Sequence, residues 1–412
     1  MKSMNYLPLS CLMAIVSLPA PGGAADAQQT ESRRTSDPLR VAPIDEVAGV
    51  YAVRQDKPFD RRIYQLDITG VSLRTYWRNI EPQRDQFDWS LFDDAIARCV
   101  ATNKKVRLCI MFGTGVPKWV DVPWFTGSPD SEYDTANQPM PVPWHETLIR
   151  EQKRINRIFA ERYRDNPTVS FFHISGPSSI WEELALPANI VDQQGYSRDA
   201  ILNTWKQVID QWQAIRGGKR LSCAVSAATS VYRNLGDDIA TYAVGKHDDP
   251  TDHGVVGSDF VLQWNYLDTL YGRAILATSK RWIPKTTIAW QMWGSTAWSR
   301  KCQDYEGTVK LGLDVGSTYV EVYQEDLLVP QYARFTETID KEIKARIKKH
   351  GKAVVAIDQP PAQSSSARAN GDVDQACDGD APAWNTWSTS ARNPGRILDS
   401  ATLPTEYSPK RE

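Results

Sequence analysis

The sequence has little net charge and few features of cofactor chemistry. It carries 48 Lys and Arg against 50 Asp and Glu, a formal net charge of −2 at pH 7. A nearly neutral chain has no strong field with which to attract nucleic acid or an anionic membrane, so neither is an expected partner. The sequence lacks a Gly-rich phosphate loop, a Ser-nucleophile elbow and a Cys-x-x-Cys pair, and no cofactor is predicted.

Long apolar runs are also missing after the first 27 residues, where none approaches the roughly 20 residues that span a bilayer. The start of the chain is typical of a secretory signal: Lys2 supplies the positive charge, "YLPLSCLMAIVSLPA" the apolar stretch, and "ADA" at 25–27 a small-residue cleavage site. We therefore expect a signal peptide over residues 1–27 and a secreted or periplasmic protein that begins near Gln28.

Cysteine is scarce, with six residues, of which Cys11 lies in the predicted signal. The remaining five allow at most two disulfides in an oxidising compartment. Cys99, Cys109 and Cys223 lie in apolar segments, where buried free thiols are expected. Cys302 with Cys377 is the pair considered for a disulfide.

The composition divides the chain into three parts after the signal. Residues 28–45 are polar and without periodicity, and are predicted to be a linker. Residues 351–412 have too few apolar residues to bury a core and are predicted to be a low-complexity, mostly disordered tail. The folded domain is expected over residues 46–350.

Eight short β-branched or aromatic runs recur in this domain, separated by longer amphipathic stretches. They are AGVYAV (48–53), GVSLRTYW (70–77), KVRLCIMFG (105–113), VSFFHISG (169–176), LSCAVSAA (221–228), FVLQWNYL (260–267), TIAWQMW (287–293) and TYVEVYQ (318–324). The intervening "WSLFDDAIARCVATN" and "RDAILNTWKQVIDQWQAI" have apolar residues at helical spacing. The alternation predicts an α/β fold, a (β/α)8 TIM barrel, although a doubly wound open sheet gives the same local pattern.

Aromatic residues stand out against this background, with 15 tryptophans. Exposed aromatic planes suit the C–H faces of sugar rings, whereas most tryptophans serve as core residues. A long loop follows the third predicted strand and contains Trp119, Trp124, Trp144 and His145. These residues either form the wall of a substrate pocket or belong to a loop that caps the barrel.

The segment "GVSLRTYWRNIEPQRDQFDWSLFDDAIARCVATNKKVRLCIMFGTGVPKWV" resembles the amino-terminal half of (β/α)8 glycoside hydrolases, especially the family 42 β-galactosidase type. In those enzymes an Arg and an aromatic residue on the second strand precede a Trp and an Ile-Glu-Pro string, and a Gly-x-x-x-P-x-Trp loop follows the third strand. The resemblance implies hydrolysis of an oligosaccharide or polysaccharide. It also implies a general acid after the fourth strand, a second carboxylate after a later strand, and an arginine, matched by Arg74, that supports the nucleophile.

Two adjacent glutamates follow the fourth predicted strand in "SGPSSIWEELALP", residues 175–187. Gly176-Pro177 followed by Glu183-Leu184-Ala185-Leu186-Pro187 is similar to the β-amylase pattern, which implies that Glu183 is the general acid. Consecutive side chains project in different directions, so both glutamates are not expected to face one pocket. Glu182 is therefore interpreted as a solvent-facing or loop-pinning carboxylate.

Hydrolysis of a glycosidic bond ordinarily takes two carboxyl groups. The seventh predicted strand offers Gln291 and no carboxylate, which departs from the retaining pattern of the resembled enzymes. Glu321 lies in the apolar eighth strand, where an acidic residue costs free energy unless it is paired or used. It is predicted to be the nucleophile or base, with an ion pair to a barrel arginine as the alternative.

Other residues near strand ends are predicted to orient or stack on a sugar. Together with Arg74 they are Trp77, Trp119, Trp144, His173, Gln263, Asn265, Gln291 and Trp293. For His173 a satisfied core histidine is the commoner outcome, and Glu81 either binds a sugar hydroxyl or braces the turn before Pro82. The loop "HDDPTDH" at 247–253 has metal-ligand residue types, but a solvated turn is favoured and no metal site is predicted.

The alternative to an enzyme is a catalytically inactive glycan-binding or polysaccharide-assembly protein on the same barrel. Gln291 in the seventh strand supports this alternative, and fold alone does not decide between the two.

Overall fold

The structure is a computed structural model that describes residues 41, 43–128, 137–178, 184–225, 232, 234–267, 278–299 and 304–350. Its strands are β1 (Gly49–Gln55), β2 (Gly70–Tyr76), β3 (Lys105–Met111), β4 (Trp124–Thr126), β5 (Pro139–Pro141), β6 (Val169–His173), β7 (Arg220–Ala224), β8 (Phe260–Leu267), β9 (Ile288–Met292) and β10 (Tyr319–Tyr323). All but β4 and β5 belong to one closed barrel of parallel strands. Since β10 pairs with β1, the sheet is not open, and the predicted TIM barrel is confirmed with all eight predicted strands.

The α-helices lie between and after these strands. They are α1 (Trp77–Ile80), α2 (Ser90–Ala101), α3 (Glu146–Tyr163), α4 (Arg198–Ile215), α5 (Leu235–Val244), α6 (Tyr305–Asp314), α7 (Gln324–Leu327) and α8 (Pro330–His350). Short 3-10 turns occur at Ile44–Glu46, Arg61–Gln65, Gly113–Gly115, Ala188–Asp192 and Gly257–Asp259. None of the helices among the described residues is long and apolar enough to cross a membrane.

Helix α4 shows why the predicted amphipathic stretches fold as they do. Ser197 precedes it, and its side chain accepts a hydrogen bond from Ala200 N, which satisfies one of the free amides of the first turn. The residues at helical spacing, Ile201, Trp205, Val208, Ile209 and Trp212, are buried against the barrel. The predicted bounds of this helix are confirmed.

The described part of the long loop after the third barrel strand contains secondary-structure elements of its own. Strands β4 and β5 pair antiparallel, and α3 follows them before the chain returns to the barrel at β6. The long loop is thus confirmed as a structured insertion.

The barrel lumen is filled differently at its two ends. Towards the amino-terminal ends of the strands, Tyr51, Phe171 and Tyr319 pack edge to face or tilted, with ring centroids 5.3 to 6.3 Å apart. Val47, Val261 and Ala289 complete this aromatic floor. Because inward-facing positions alternate along each strand, the polar residues two positions further on lie above the floor, towards the carboxyl-terminal rim.

The cysteine predictions are confirmed where the structure describes them. Cys99, Cys109 and Cys223 are buried free thiols. Burial raises the pKa of Cys99 to about 12 and that of Cys109 to about 11, so neither thiol is reactive at neutral pH. Cys302 and Cys377, the signal and the tail lie outside the described residues.

Candidate active site

Glu321 projects into the lumen from β10, between Tyr319 in the floor and Tyr323 nearer the rim. Its side chain is fully buried. Oε2 accepts hydrogen bonds from an Arg74 guanidinium nitrogen at 2.8 Å and from Gln263 Nε2 at 3.2 Å. Oε1 accepts from the Arg107 guanidinium. Glu321 therefore faces the inside of the barrel and is also ion-paired with barrel arginines; its catalytic role stays a prediction.

Arg107 is the residue that the sequence reasoning missed. It lies in β3, is fully buried, and donates to Ser222 Oγ at 3.2 Å and to Ser72 Oγ at 3.3 Å as well as to Glu321. Burial lowers the pKa of Arg107 to about 10, which leaves it charged at neutral pH. A charged residue at an inward-facing position of an otherwise apolar strand was the available signal.

His173, at the end of β6, is neutral in this environment. Burial, and then the positive charges of Arg107 and Arg74, hold the pKa of His173 well below its usual range. The Arg107 guanidinium contacts Nδ1, and since a guanidinium can only donate, Nδ1 must be the unprotonated acceptor. The ring proton is thereby assigned to Nε2, which has no hydrogen-bond partner in the described part of the chain.

The predicted polar residues of β8 and β9 join the same network. An Arg74 nitrogen donates to Gln291 Oε1 at 2.7 Å, and Gln291 Nε2 donates to the Tyr323 hydroxyl at 3.3 Å. Gln263 Nε2 lies 2.6 Å from Asn265 Oδ1. The structure thus brings together Arg74, Gln263, Asn265 and Gln291 with His173 and Glu321. Arg74 is shared between Glu321 and Gln291, which are partners in the register of β9 and β10.

Trp77 lies elsewhere. It begins α1, is fully buried, and packs edge to face against Phe112 and Trp119. Its indole N–H donates to Glu81 Oε2 at 2.8 Å. In this structure Trp77 is a core residue with no surface for a sugar.

Glu81 braces the turn that follows α1, as one of the two sequence interpretations had it. Its carboxylate accepts from Asp85 N at 2.8 Å and from Arg154 at 2.6 and 2.7 Å. Its carbonyl accepts from the indole N–H of Trp119 at 3.0 Å. This buried carboxylate therefore ties α3 to the segment after β2.

The remaining predicted tryptophans are half-buried. Trp119 packs on Trp77, and the Arg84 and Arg154 guanidinium groups lie over its ring. Trp144 donates to Gln194 O at 2.9 Å and meets Tyr196 edge to face. Trp293 directly follows β9. The contacts of Trp119 and Trp144 described above are with loops and helices outside the lumen, and their sugar-binding roles stay predictions.

Glu182 and Glu183 lie outside the described residues, but both ends of their segment are anchored. Gly176 passes so close to Trp205 that a Cβ would lie 2.8 Å from the indole, and Trp205 Nε1 donates to Pro177 O at 3.3 Å. Leu184 is fully buried on the far side of the gap. The Gly-Pro turn thus packs on α4, and the segment carrying Glu183 begins two residues after His173.

The 247–253 loop forms a turn held by its own aspartates. Asp249 Oδ1 accepts from Thr251 N at 2.9 Å, and Asp252 accepts from Lys246 N and Gly254 N at 3.0 and 3.1 Å. Within the described ranges, no cluster of three His, Cys, Asp or Glu side chains could hold a metal ion.

Comparison with known proteins supports the resemblance seen in the sequence. Residues 59–180 match the model of glycoside hydrolase family 42, described as beta-galactosidase. The matched segment, less than a third of the chain, includes Arg74, Arg107 and His173 and ends before Glu183. The family match and the closed barrel confirm the predicted resemblance to these barrel enzymes.

The chain is also similar to solved glycosidase structures. A β-galactosidase from the psychrophilic Marinomonas ef1 has 12% identity and a TM-score of 0.47, over 73% of this chain and 60% of that one. The chain thus spans about three fifths of the length of that enzyme. Endo-glycoceramidase II from Rhodococcus sp., in a lactosyl-enzyme intermediate, has 15% identity and a TM-score of 0.45, over 70% and 76% of the two chains. No curated protein sequence matches the chain.

Proposed function

We propose that the protein is a secreted glycoside hydrolase that cleaves an O-glycosidic bond of an oligosaccharide or polysaccharide at the carboxyl-terminal rim of the barrel. The observation that carries the proposal is the carboxylate of Glu321, held inside the lumen by Arg74 and Arg107. Two guanidinium groups on one carboxylate favour its ionised form, as a nucleophile or a water-activating base requires. The signal peptide predicted over residues 1–27 supports secretion.

In the proposed mechanism Glu183 protonates the leaving oxygen while Glu321 attacks the anomeric carbon or activates a water. The negative charge of Glu321 stabilises the positive charge that develops on the sugar ring. Because Glu321 is fully buried, side chains above it must move before a sugar can reach it.

The polar residues around Glu321 have the groups that a sugar's hydroxyls need. The Nε2 proton of His173 can be donated to a hydroxyl oxygen, and the amides of Gln263, Asn265 and Gln291 can donate and accept. Tyr76, Cys109 and Met111 form a separate buried apolar cluster from β2 and β3.

One observation favours the second candidate, a glycan-binding barrel without hydrolysis. The arginine that would support a nucleophile on the seventh barrel strand contacts an uncharged amide there, Gln291. In that case Glu321 is the counterion of Arg74 and Arg107 and holds the lumen together. The two candidates predict the same sugar-binding surface and differ in turnover.

Replacing each carboxylate separates the candidates. Glu183→Gln and Glu321→Gln are each expected to lower kcat/KM on a panel of p-nitrophenyl glycosides by about 10²- to 10⁴-fold, with the melting temperature and circular dichroism preserved. Glu182→Gln and Glu325→Gln are the matched controls, since Glu182 adjoins Glu183 and Glu325 is an arginine-paired carboxylate just after β10, 2.7 Å from Arg54.

Full activity of folded Glu321→Gln would overturn its catalytic role and leave it as a counterion. Absence of turnover by the wild-type protein on the whole panel, together with measurable oligosaccharide binding, would establish the binding function instead.

A further inference from the structure

Trp298 is an exposed aromatic side chain on the loop that follows β9. It is 58% exposed, the most exposed aromatic side chain in the described part of the chain. Its backbone is held by a hydrogen bond from Trp298 N to Ser295 O at 3.2 Å. Loops that follow barrel strands lie at the carboxyl-terminal rim, so this indole stands at the same end of the barrel as the candidate active site.

Gly294 lets the indole lie against the backbone. A Cβ at position 294 would be 2.6 Å from two atoms of the Trp298 ring, closer than non-bonded carbons approach. One part of the ring is therefore packed on the loop, while more than half of the side chain remains open to solvent.

The indole is connected to the lumen by direct contacts. Trp298 meets Tyr323 edge to face, with ring centroids 5.1 Å apart at 84°. The Tyr323 hydroxyl accepts from Gln291, which in turn shares Arg74 with Glu321. Trp298 thus marks the outer end of a continuous line of side chains that runs from the buried carboxylate to the rim.

A single large aromatic plane favours a sugar ring over other ligands. A protein or lipid partner requires a contiguous apolar patch of several hundred Å². The other exposed large hydrophobic residues of the described chain are four valines that lie far apart in the sequence, Val100, Val191, Val255 and Val329. A sugar ring needs only one flat face and neighbouring hydroxyl partners.

We propose that Trp298, seated on Gly294 and Tyr323, is an outer subsite that stacks on a sugar ring of an oligosaccharide whose inner end lies in the lumen. This inference rests on the proposed lumen site as the place where the inner sugar binds. It makes the preferred ligand an extended chain of sugars and assigns Trp298 to its recognition.

The test is a calorimetric titration of folded Glu321→Gln protein, which keeps the ligand from being consumed, with β-linked galacto- and gluco-oligosaccharides of one to five units. Adding Trp298→Ala is expected to lower the affinity for the longest oligosaccharides about 3- to 10-fold, with a loss that grows with chain length. Trp298→Phe retains a ring and is expected to recover most of the affinity. Gly294→Ala displaces the indole and should reproduce part of the loss.

Val255→Ala is the control for removal of exposed apolar surface and is expected to change no affinity. If Glu321→Gln does not fold, Glu183→Gln replaces it as the background. A loss that is the same for every chain length, or no binding by any oligosaccharide of the panel, would overturn the inference. p-Nitrophenyl glycosides are titrated alongside; a loss confined to them would also overturn the inference, since the indole would then bind an aryl aglycone. Because the readout is binding, lack of hydrolysis would count against the proposed function alone.

Discussion

His173 is a buried histidine whose neutral state is set by its neighbours. Arg107 and Arg74 face it from β3 and β2, and Ser222 Oγ lies 3.0 Å from its Nδ1. The folded-state pKa lies well below the unfolded value near 6.5, so at acidic pH the unfolded chain binds a proton that the folded protein does not. Folding stability is therefore expected to fall as the pH drops below about 6.5, by up to about 1.4 kcal/mol per pH unit.

Urea unfolding at pH values between 7.5 and 5 measures this contribution. His173→Asn keeps an oxygen acceptor for Arg107 and removes the titrating ring. The free energy of unfolding of this variant should therefore fall less steeply with decreasing pH than that of the wild type, by the equivalent of up to one proton. Identical slopes for the two proteins would show that folding does not lower the pKa of His173.

At the level of single residues, the sequence identified much of the lumen and left out a central member. Arg74 was implied by the family resemblance, and Gln263, Asn265 and Gln291 were predicted as polar groups near strand ends. Glu321 was predicted because an acidic residue in an apolar strand must be paired or used. Arg107 obeys the same rule and could have been found by it.

The tryptophans were harder to place from the sequence. Trp77 was predicted at the site, but the strand ends at Tyr76, and the helical turn that follows directs Trp77 into the outer core. Where a strand ends decides whether the next residue faces inwards, and composition does not fix that boundary.

At the level of elements, Asp340 joins the last helix to the first two barrel strands. Its Oδ1 accepts from Val50 N at 2.6 Å, Thr69 N at 2.9 Å and Thr69 Oγ1 at 2.8 Å, and Oδ2 pairs with Lys344 at 2.6 Å. The side chain is fully buried, whereas the nearby Asp67–Lys341 pair is exposed. A charged acceptor that satisfies two buried backbone amides contributes far more than a surface ion pair.

Asp340→Ala is expected to lower the free energy of unfolding by about 3 kcal/mol, since it leaves those amides without an acceptor. Asp340→Asn, which keeps an oxygen, should cost less, and Asp67→Ala should cost under about 0.5 kcal/mol. Guanidinium denaturation of the variants gives the three values. A loss for Asp340→Ala no larger than that for Asp67→Ala would show that α8 is held by its apolar face alone.

The strands were predictable because those of a barrel, buried on both sides, appear as continuous apolar runs with short breaks. Their observed bounds differ from the predicted ones by at most a few residues. The closure of the barrel could not be predicted from any local stretch of sequence, because it depends on the pairing of β10 with β1. These two strands lie more than 250 residues apart in the chain. The short strands β4 and β5 lack the length to give a periodic signal.

At the level of the whole molecule, the family match covers only part of the barrel. Residues 59–180 contain β2, β3 and β6 of the barrel, whereas Gln291 and Glu321 lie on β9 and β10. Gln291, the residue that departs from the pattern of the resembled enzymes, thus lies on a strand that the family match does not cover. Activity consequently has to be established on the complete protein.

Export is the property of the whole chain that its first 27 residues predict. With all 412 residues expressed in a Gram-negative host, we expect the protein in the periplasm or medium with an amino terminus at Gln28, because the Ala-Asp-Ala string at 25–27 is the predicted cleavage signal. Intact-mass measurement of the exported protein tests the site. Ala27→Leu places a large side chain where a small one is required and should retain the leader, whereas Ala24→Ser, just before the string, should be processed normally.

The buried free thiols Cys99, Cys109 and Cys223 are compatible with an oxidising compartment, since burial keeps them from exchange. A protein that remains in the cytoplasm at full length would contradict export and move the search for its glycan inside the cell.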